Sequence, residues 1–404
     1  MKTLLKCFFI LILATPTLYS QTQPYVILIS FDAFRWDYSD RGITPNFDYM
    51  KERGVSASSL QPCFPSKTFP NHLSIITGMY PEHHGIISNN FKDYFTGKYF
   101  KLSDSVESRN AYWYKGEAFW ETAERQGIIS ASYFFPGSNL SLKYRDPQYF
   151  YHYDHSKPYK ERIDKVIDWL TLPQEKRPHF ITTYFSATDD YGHKFGPNSP
   201  EVNYAIAKED SVLGYLFQRL NKIKMMDSIN VIVVSDHGMT EISLDRVINI
   251  ERLLDGYKYE SGDSGPFMLI QPVEGELENV YKQLKENKNH FKVYKKEDVP
   301  EYFHYSDNPL IPQIVILAEN RWSVETNKSL ENMKKYGNKG NHGYDNYWLD
   351  MHGVFYAIGP AFKQNYNVGT INNIDIYPLL CKIFNVVPNF NIDGKLERIE
   401  IILK

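Results

Sequence analysis

Cysteine is scarce in this chain, with three residues in 404. A disulfide-stapled scaffold is therefore excluded, and stability has to come from a buried core. Cys7 lies in an N-terminal apolar run, which leaves Cys63 and Cys381, and nothing in their spacing says whether they meet. An excess of either charge is also missing: 45 Lys and Arg stand against 48 Asp and Glu, for a net charge of −3. Without a basic tract there is no footprint for a nucleic-acid polymer. No apolar stretch reaches membrane-spanning length either. The longest, Cys7 to Ala14 in MKTLLKCFFILILATPTLYSQ, follows Lys2 and Lys6 and precedes Pro16 and Ser20. Charge, then a short apolar segment, then a small residue predicts a signal peptide over residues 1–20 and an exported mature chain, secreted or periplasmic.

What the chain does have is length enough for a large core and many aromatics, 31 Tyr and 25 Phe. Three β-rich apolar runs end abruptly in polar residues: YVILISFDAF from Tyr25, HFITTYFSATDD from His179 and NVIVVSDHG from Asn230. Helical patterns alternate with them, in TPNFDYMKERG, KGEAFWETAERQG, YKERIDKVIDWL and EVNYAIAKEDSVLGYLFQRLNKI. This alternation predicts an α/β fold, a doubly wound, mostly parallel sheet with helices on both faces. Between about residues 246 and 336 the pattern changes to the strands MLIQPV, HFKVYKK and PQIVILAE around one helix, GELENVYKQLKEN. We read this stretch as a small α+β lobe inserted into a single catalytic domain spanning residues 21–404. The core resumes with GVFYAIGPAF and the helix NIDIYPLLCKIF.

Ligands of open α/β sheets bind beyond the carboxyl ends of the strands, and three strand ends here carry metal-ligand residue types. Asp32 closes the first strand, Asp189 and His193 come after the second, four residues apart across a turn, and Asp236 and His237 close the third. His342, in NHGYDN, sits where the chain re-enters the core. Each residue alone reads as a loop cap or a surface polar group. Together, carboxylates and imidazoles in two sets of three are what zinc accepts.

In PSKTFPNHLSIITG, Pro70 suits a first helical turn and Gly78 the residue past its end, so Thr68 stands at a helix mouth. The ordinary use of such a threonine is capping. The alternative is a nucleophile at an anion seat, activated by a metal, since an unassisted aliphatic hydroxyl ionises too weakly to attack phosphorus.

FPSKTFPNHLSIITGMYPEHHGIISNNF, with ATDDYGHKFGP, VVSDHGM and NHGYDN, closely resembles the nucleotide pyrophosphatase/phosphodiesterase family of the alkaline phosphatase superfamily, from about Tyr25 to Phe384. The resemblance implies two zinc ions, one held by Asp189, His193 and His342 and the other by Asp32, Asp236 and His237, with Thr68 as nucleophile and also a ligand of the second. It makes Asn89 a donor to the phosphoryl oxygen and Phe69 one wall of a slot for the nucleobase. Phe150, Tyr151 and Tyr153 are the candidates for the opposite wall. Lys67 is expected either to lean toward the phosphate or to lie exposed in its loop. His72 and His352 read as structural, His83 and His84 as solvated loop residues.

The expected substrates are small nucleotides carrying a phosphodiester or pyrophosphate bond, cleaved to nucleoside 5'-monophosphates. Choline-bearing phospholipids or glycerophosphodiesters are the alternative within the family. A sulfatase is disfavoured because Lys67-Thr68-Phe69-Pro70 lacks the Cys or Ser and the Arg of that branch. A secreted zinc-binding protein without turnover is the remote alternative.

Overall fold

The structure, a computed structural model, describes residues 23–404; the expected signal peptide lies outside the described residues. In chain order the strands of the main sheet are β1 (Tyr25–Phe31), β2 (Val55–Ala57), β3 (Ser130–Tyr133), β4 (Tyr149–Tyr151), β5 (Phe180–Phe185) and β6 (Ile229–Val234). Four strands of a separate sheet come next, β7 (Tyr259–Gly262), β8 (Phe267–Pro272), β9 (Phe291–Lys295) and β10 (Ile314–Ala318). The main sheet is completed by β11 (Phe355–Ile358) and β12 (Tyr366–Val368). Its order is β12-β2-β11-β6-β1-β5-β3-β4, parallel except for β11, which runs antiparallel to both neighbours.

Helices that pack on these sheets or frame the strand ends include α1 (Pro45–Arg53), α2 (Thr68–Thr77), α3 (Phe119–Arg125), α4 (Tyr159–Leu170), α5 (Ala187–Phe195), α6 (Pro200–Lys222), α7 (Leu277–Glu286) and α8 (Ile376–Phe384). Period-two alternation along β1 divides those of the main sheet between two layers. Val26 and Leu28 pack into a core with Ile75 and Ile76 of α2, Phe119 of α3 and Leu379 of α8. Ile27, Ile29 and Phe31 point the other way, onto Phe47 of α1, Ile163 of α4 and Leu213 of α6. The central strands are thus apolar on both faces because helices cover both faces, the doubly wound arrangement expected from the sequence.

The β7–β10 sheet, in the order β7-β8-β10-β9, obeys the same rule on a smaller scale. Met268, Ile270, Ile314 and Ile316 pack on Val280 and Leu284 of α7, while Phe267, Leu269, Val315 and Leu317 face the main core. A helix that the sequence pattern does not predict, Asn327–Tyr336, is started by a capping box in which the Thr326 hydroxyl accepts from the Ser329 N–H. It buries Met333 and is otherwise half-buried or exposed, so its apolar periodicity is too sparse to read.

A candidate dinuclear metal site at the strand ends

The parallel register sets the geometry. Phe31 pairs with Phe185 and Ser30 with Val234, so β1, β5 and β6 finish side by side and deliver their succeeding residues to one place. Asp32 comes directly after β1 and Asp236 lies two residues past β6. Asp189 and His193 are one turn apart on α5, rather than flanking a turn as the sequence suggested, because the polar residues after β5 start a helix at Ala187. His193 Nε2 lies 3.3 Å from Asp189 Oδ1, and His342 Nε2 lies 3.7 Å from the same oxygen. His237 Nε2 is 3.1 Å from Asp236 Oδ2 and 3.4 Å from Asp32 Oδ1. The rings of His237 and His342 stack with centroids 3.5 Å apart.

Ligand atoms of Asp32, Asp236 and His237 lie within 4.8 Å of one another, and so do those of Asp189, His237 and His342. His237 therefore stands between two ligand groups. His193 joins the second through Asp189, its ring centroid 5.1 Å from that of His342.

The donor chemistry fits metal ions. Asp32 Oδ2 accepts from the Tyr184 hydroxyl at 2.5 Å and Asp236 Oδ1 from the Ala33 N–H at 3.2 Å. Their other oxygens, Asp32 Oδ1 and Asp236 Oδ2, are buried without a hydrogen bond, as is Asp189 Oδ1. A buried carboxylate oxygen left unpaired is costly unless a cation faces it. Each of the three histidines spends Nδ1 on a backbone carbonyl: His193 on Gly340, His237 on Gly238 and His342 on Ser66, all at 2.9 Å. Donation there orients each ring and turns Nε2 toward the acids.

Electrostatics agrees. Burial, with the charges of the neighbouring carboxylates, pushes Asp32 well above the usual range, and burial does the same to Asp236. Burial holds His237 down at about 3 and keeps His342 well below the ordinary imidazole value, so both are neutral lone-pair donors. Burial also opposes the charged form of His193, but the Asp189 carboxylate outweighs it and raises the imidazole to about 9. Cations seated here would offset the charge of these carboxylates.

Thr68 is the first residue of α2 rather than its cap. Lys67 occupies the N-cap position without a side-chain bond. The Thr68 hydroxyl sits 3.3 Å from His237 Nε2. The orphan N–H of Phe69 is taken instead by Asn89 Oδ1 at 3.0 Å, which leaves the Asn89 amide N–H₂ as the free end of that side chain. Thr68 and Phe69 form one end of a cavity of about 390 Å³ whose walls include Phe135, Arg109, Tyr151 and Tyr153. Phe150 is not part of this lining; its ring lies edge-on to that of His152, which is.

Lys67 neither reaches into the cavity nor lies exposed. It is 6 % exposed and donates to Asp263 at 2.7 Å. His84 departs from its expected place in solvent. It is buried, donating from Nε2 to Pro70 O and accepting the Ile86 N–H at Nδ1. His83 is partly exposed and bound to Asp393. Cys63 and Cys381 are both buried and free.

Three further residues support the site: His72, expected to be structural or to support the ligands, and Tyr184 and Glu209, whose roles the sequence pattern does not signal. Tyr184 bonds Asp32 and also lines the cavity. His72 joins Thr68 O at 2.8 Å to Ser30 Oγ at 2.8 Å, with its Nδ1 3.3 Å from Asp236 Oδ2. Glu209 of α6 accepts the Ala187 N–H at the start of α5 at 2.9 Å, and its other oxygen meets the Thr188 hydroxyl at 2.8 Å. That hydroxyl also donates to Asp32 O at 2.5 Å. Burial pushes the Glu209 carboxyl up to about 8. The link ties α5 to the end of β1. An alternating strand and a long amphipathic helix gave no sign of these roles.

Residues 26–345 match the Type I phosphodiesterase / nucleotide pyrophosphatase family. The chain is 38 % identical over 388 residues to human ectonucleotide pyrophosphatase/phosphodiesterase family member 5, covering 95 % of this chain and 80 % of that protein. It is 35 % identical over 385 residues to bis(5'-adenosyl)-triphosphatase enpp4 of Xenopus laevis, covering 95 % and 82 %. The structure of murine ectonucleotide pyrophosphatase/phosphodiesterase 5, an inactive form in complex with AMP, superposes with a TM-score of 0.89 at 35 % identity over 95 % of this chain and all of that one. The chain belongs to the Type I phosphodiesterase / nucleotide pyrophosphatase family, on an alkaline phosphatase-like fold.

Proposed function

We propose that this phosphodiesterase hydrolyses nucleotide phosphodiester and pyrophosphate bonds in two displacements through Thr68, releasing nucleoside 5'-monophosphates. One observation carries the reading: the Thr68 hydroxyl lies 3.3 Å from His237 Nε2, where the ligand cluster opens into the aromatic cavity. Zinc ions held by Asp189, His193 and His342 and by Asp32, Asp236 and His237 supply Lewis acidity for the Thr68 hydroxyl and the phosphoryl oxygens when bound.

The remaining work falls to the chain. Thr68 Oγ1 forms a bond to phosphorus, and the bond to the leaving alcohol or pyrophosphate breaks. Water then cleaves the phospho-threonine, and the two inversions give net retention at phosphorus. The Asn89 amide donates to a phosphoryl oxygen, its other end anchored on the Phe69 N–H. Phe69 and Tyr153, both in the cavity lining, hold a base by stacking, which accepts any base because each has a π-face.

Two relatives support nucleotides as the substrate class. One is named a bis(5'-adenosyl)-triphosphatase, and another binds AMP, a product of the proposed kind. Arg109 at the cavity wall opposes a choline head group. Export by residues 1–20 belongs to the same proposal; among the described residues no helix is long and apolar enough to cross a membrane.

The test is Thr68→Ala with metal content measured on the same sample. Turnover of a nitrophenyl nucleotide ester should fall by at least about 10³-fold while two zinc ions per chain remain. Unchanged turnover would overturn the assignment, and preference for a nitrophenyl phosphocholine would replace the substrate class.

A further inference from the structure

We infer that Asp263, reaching in from the β7–β10 sheet, cancels the charge of Lys67 beside the nucleophile and thereby sets a preference for phosphodiesters over phosphomonoesters. The inference rests on the functional reading above. Lys67 immediately precedes Thr68, and its stem runs past Gly343, the neighbour of His342. A Cβ at Gly343 would stand 2.8 Å from Lys67 Cε. The ammonium ends on Asp263 Oδ1 at 2.7 Å, with both side chains 7 % exposed.

Asp263 is held for this contact. It adopts φ +59°, accepts the Ser264 N–H at 2.9 Å on the oxygen that meets Lys67, and accepts the Ser88 hydroxyl on the other. Ser88 in turn precedes Asn89. The pair therefore touches the residue before the nucleophile, the residue before the phosphoryl donor and the residue after a metal ligand. Glu325, across Gly265, is a weaker counter-ion because burial raises its carboxyl.

Charge counting gives the consequence. A phosphodiester presents about one negative charge at the reacting group and a monoester nearly two. A free lysine adjoining Thr68 would favour the second charge, because a buried cation is weakly screened. Lys67 paired with Asp263 is a neutral unit and offers no such gain. Asp263 is a positioning residue that acts through Lys67, with specificity as its output.

Asp263→Asn keeps the shape and an acceptor for the lysine while removing the charge. With a nitrophenyl nucleotide ester and nitrophenyl phosphate as paired substrates, the monoester-to-diester ratio of kcat/KM should rise by about tenfold. Adding Lys67→Met to that variant should return the ratio to within about twofold of wild type, since the gain runs through the lysine. Lys67→Met alone leaves an unpaired anion and should lower the ratio. If Asp263→Asn depresses both substrates equally, Asp263 serves only to hold the two sheets together and the inference falls. An unchanged ratio in Lys67→Met overturns it too, and that variant does not depend on the first one folding. A wild-type enzyme without diesterase turnover overturns both this inference and the functional reading, whereas a working diesterase with an unmoved ratio overturns this inference alone.

Discussion

His237 and His84 are equally buried, and they differ in what their ring nitrogens touch. On the helical layer, His84 uses both nitrogens on the chain, and so do His72, on Thr68 O and Ser30 Oγ, and His352, on Ser59 Oγ and Asn346 O. At the strand ends, His193, His237 and His342 spend only Nδ1 on the backbone and turn Nε2 toward carboxylates. Two buried acids away from the cluster show the same contrast. Asp210 receives the Asn46 and Phe47 N–H groups and the Asn46 amide, and Asp375 receives Arg398 and the Lys395 N–H, whereas each acid of the cluster keeps one oxygen unpaired. A buried polar group with all its bonds made is architecture. Three carboxylate oxygens left open together, with three imidazole nitrogens turned toward them, make a seat for something the chain does not supply.

The most direct way to break this comparison is to remove what fills the open bonds. Dialysis against a chelator should abolish turnover and zinc should restore it, while the secondary structure stays intact. The loss of unfolding free energy should be the linkage amount, about 2.7 kcal/mol for a metal present at a hundred times its Kd. An apo protein with full turnover would end the distinction.

Paired substitutions sharpen it. His237→Ala should lower kcat/KM by on the order of 10³-fold because it removes an open bond shared by both ligand groups, at a stability cost of about 1 kcal/mol for the one bond to Gly238 O that it gives up. His84→Ala should do the reverse, costing about 2 kcal/mol by stranding Pro70 O and the Ile86 N–H, while each folded molecule keeps its kcat. Arg398→Ala belongs with His84. It strips the fully buried Asp375 of its cation and should cost about 2–3 kcal/mol in urea unfolding without moving KM.

The sequence showed the ligand cluster because its residues sit just past apolar strand runs, and a parallel register has few ways to place them other than together. Helices on both faces were legible for the same reason, from continuous apolar runs alternating with amphipathic ones. The contacts made by Lys67, His84 and Glu209 were not legible. Each depends on a partner far along the chain: Asp263 for the lysine, Pro70 across a turn of α2 for the histidine, Thr188 for the acid. Residue type says what a side chain can bond to, and only the packing of distant elements says whether it does. The helix Asn327–Tyr336 was hidden because capping by Thr326, rather than an apolar stripe, defines it.

The smallest effect tests the comparison at its edge, where a histidine is neither buried nor open to metal. His83 Nδ1 donates to Asp393 Oδ2 at 2.8 Å, and that bond raises the imidazole above its ordinary value of 6.5. Burial pushes Asp393 up, but the bonds from His83 and the Tyr80 N–H prevail and hold it below 3.8. The raised histidine contributes stability that is complete below about 6.5 and is lost as pH rises through its folded value. The depressed aspartate contributes above about 3.8 and its share is lost as pH falls through its folded value. The pair therefore stabilises most between those limits, by less than about 1 kcal/mol because His83 is partly exposed. His83→Asn should lower Tm slightly inside that window, bring it back toward the wild-type value above the window, and leave turnover alone; a variant with the wild-type profile would show that the contact carries no linkage.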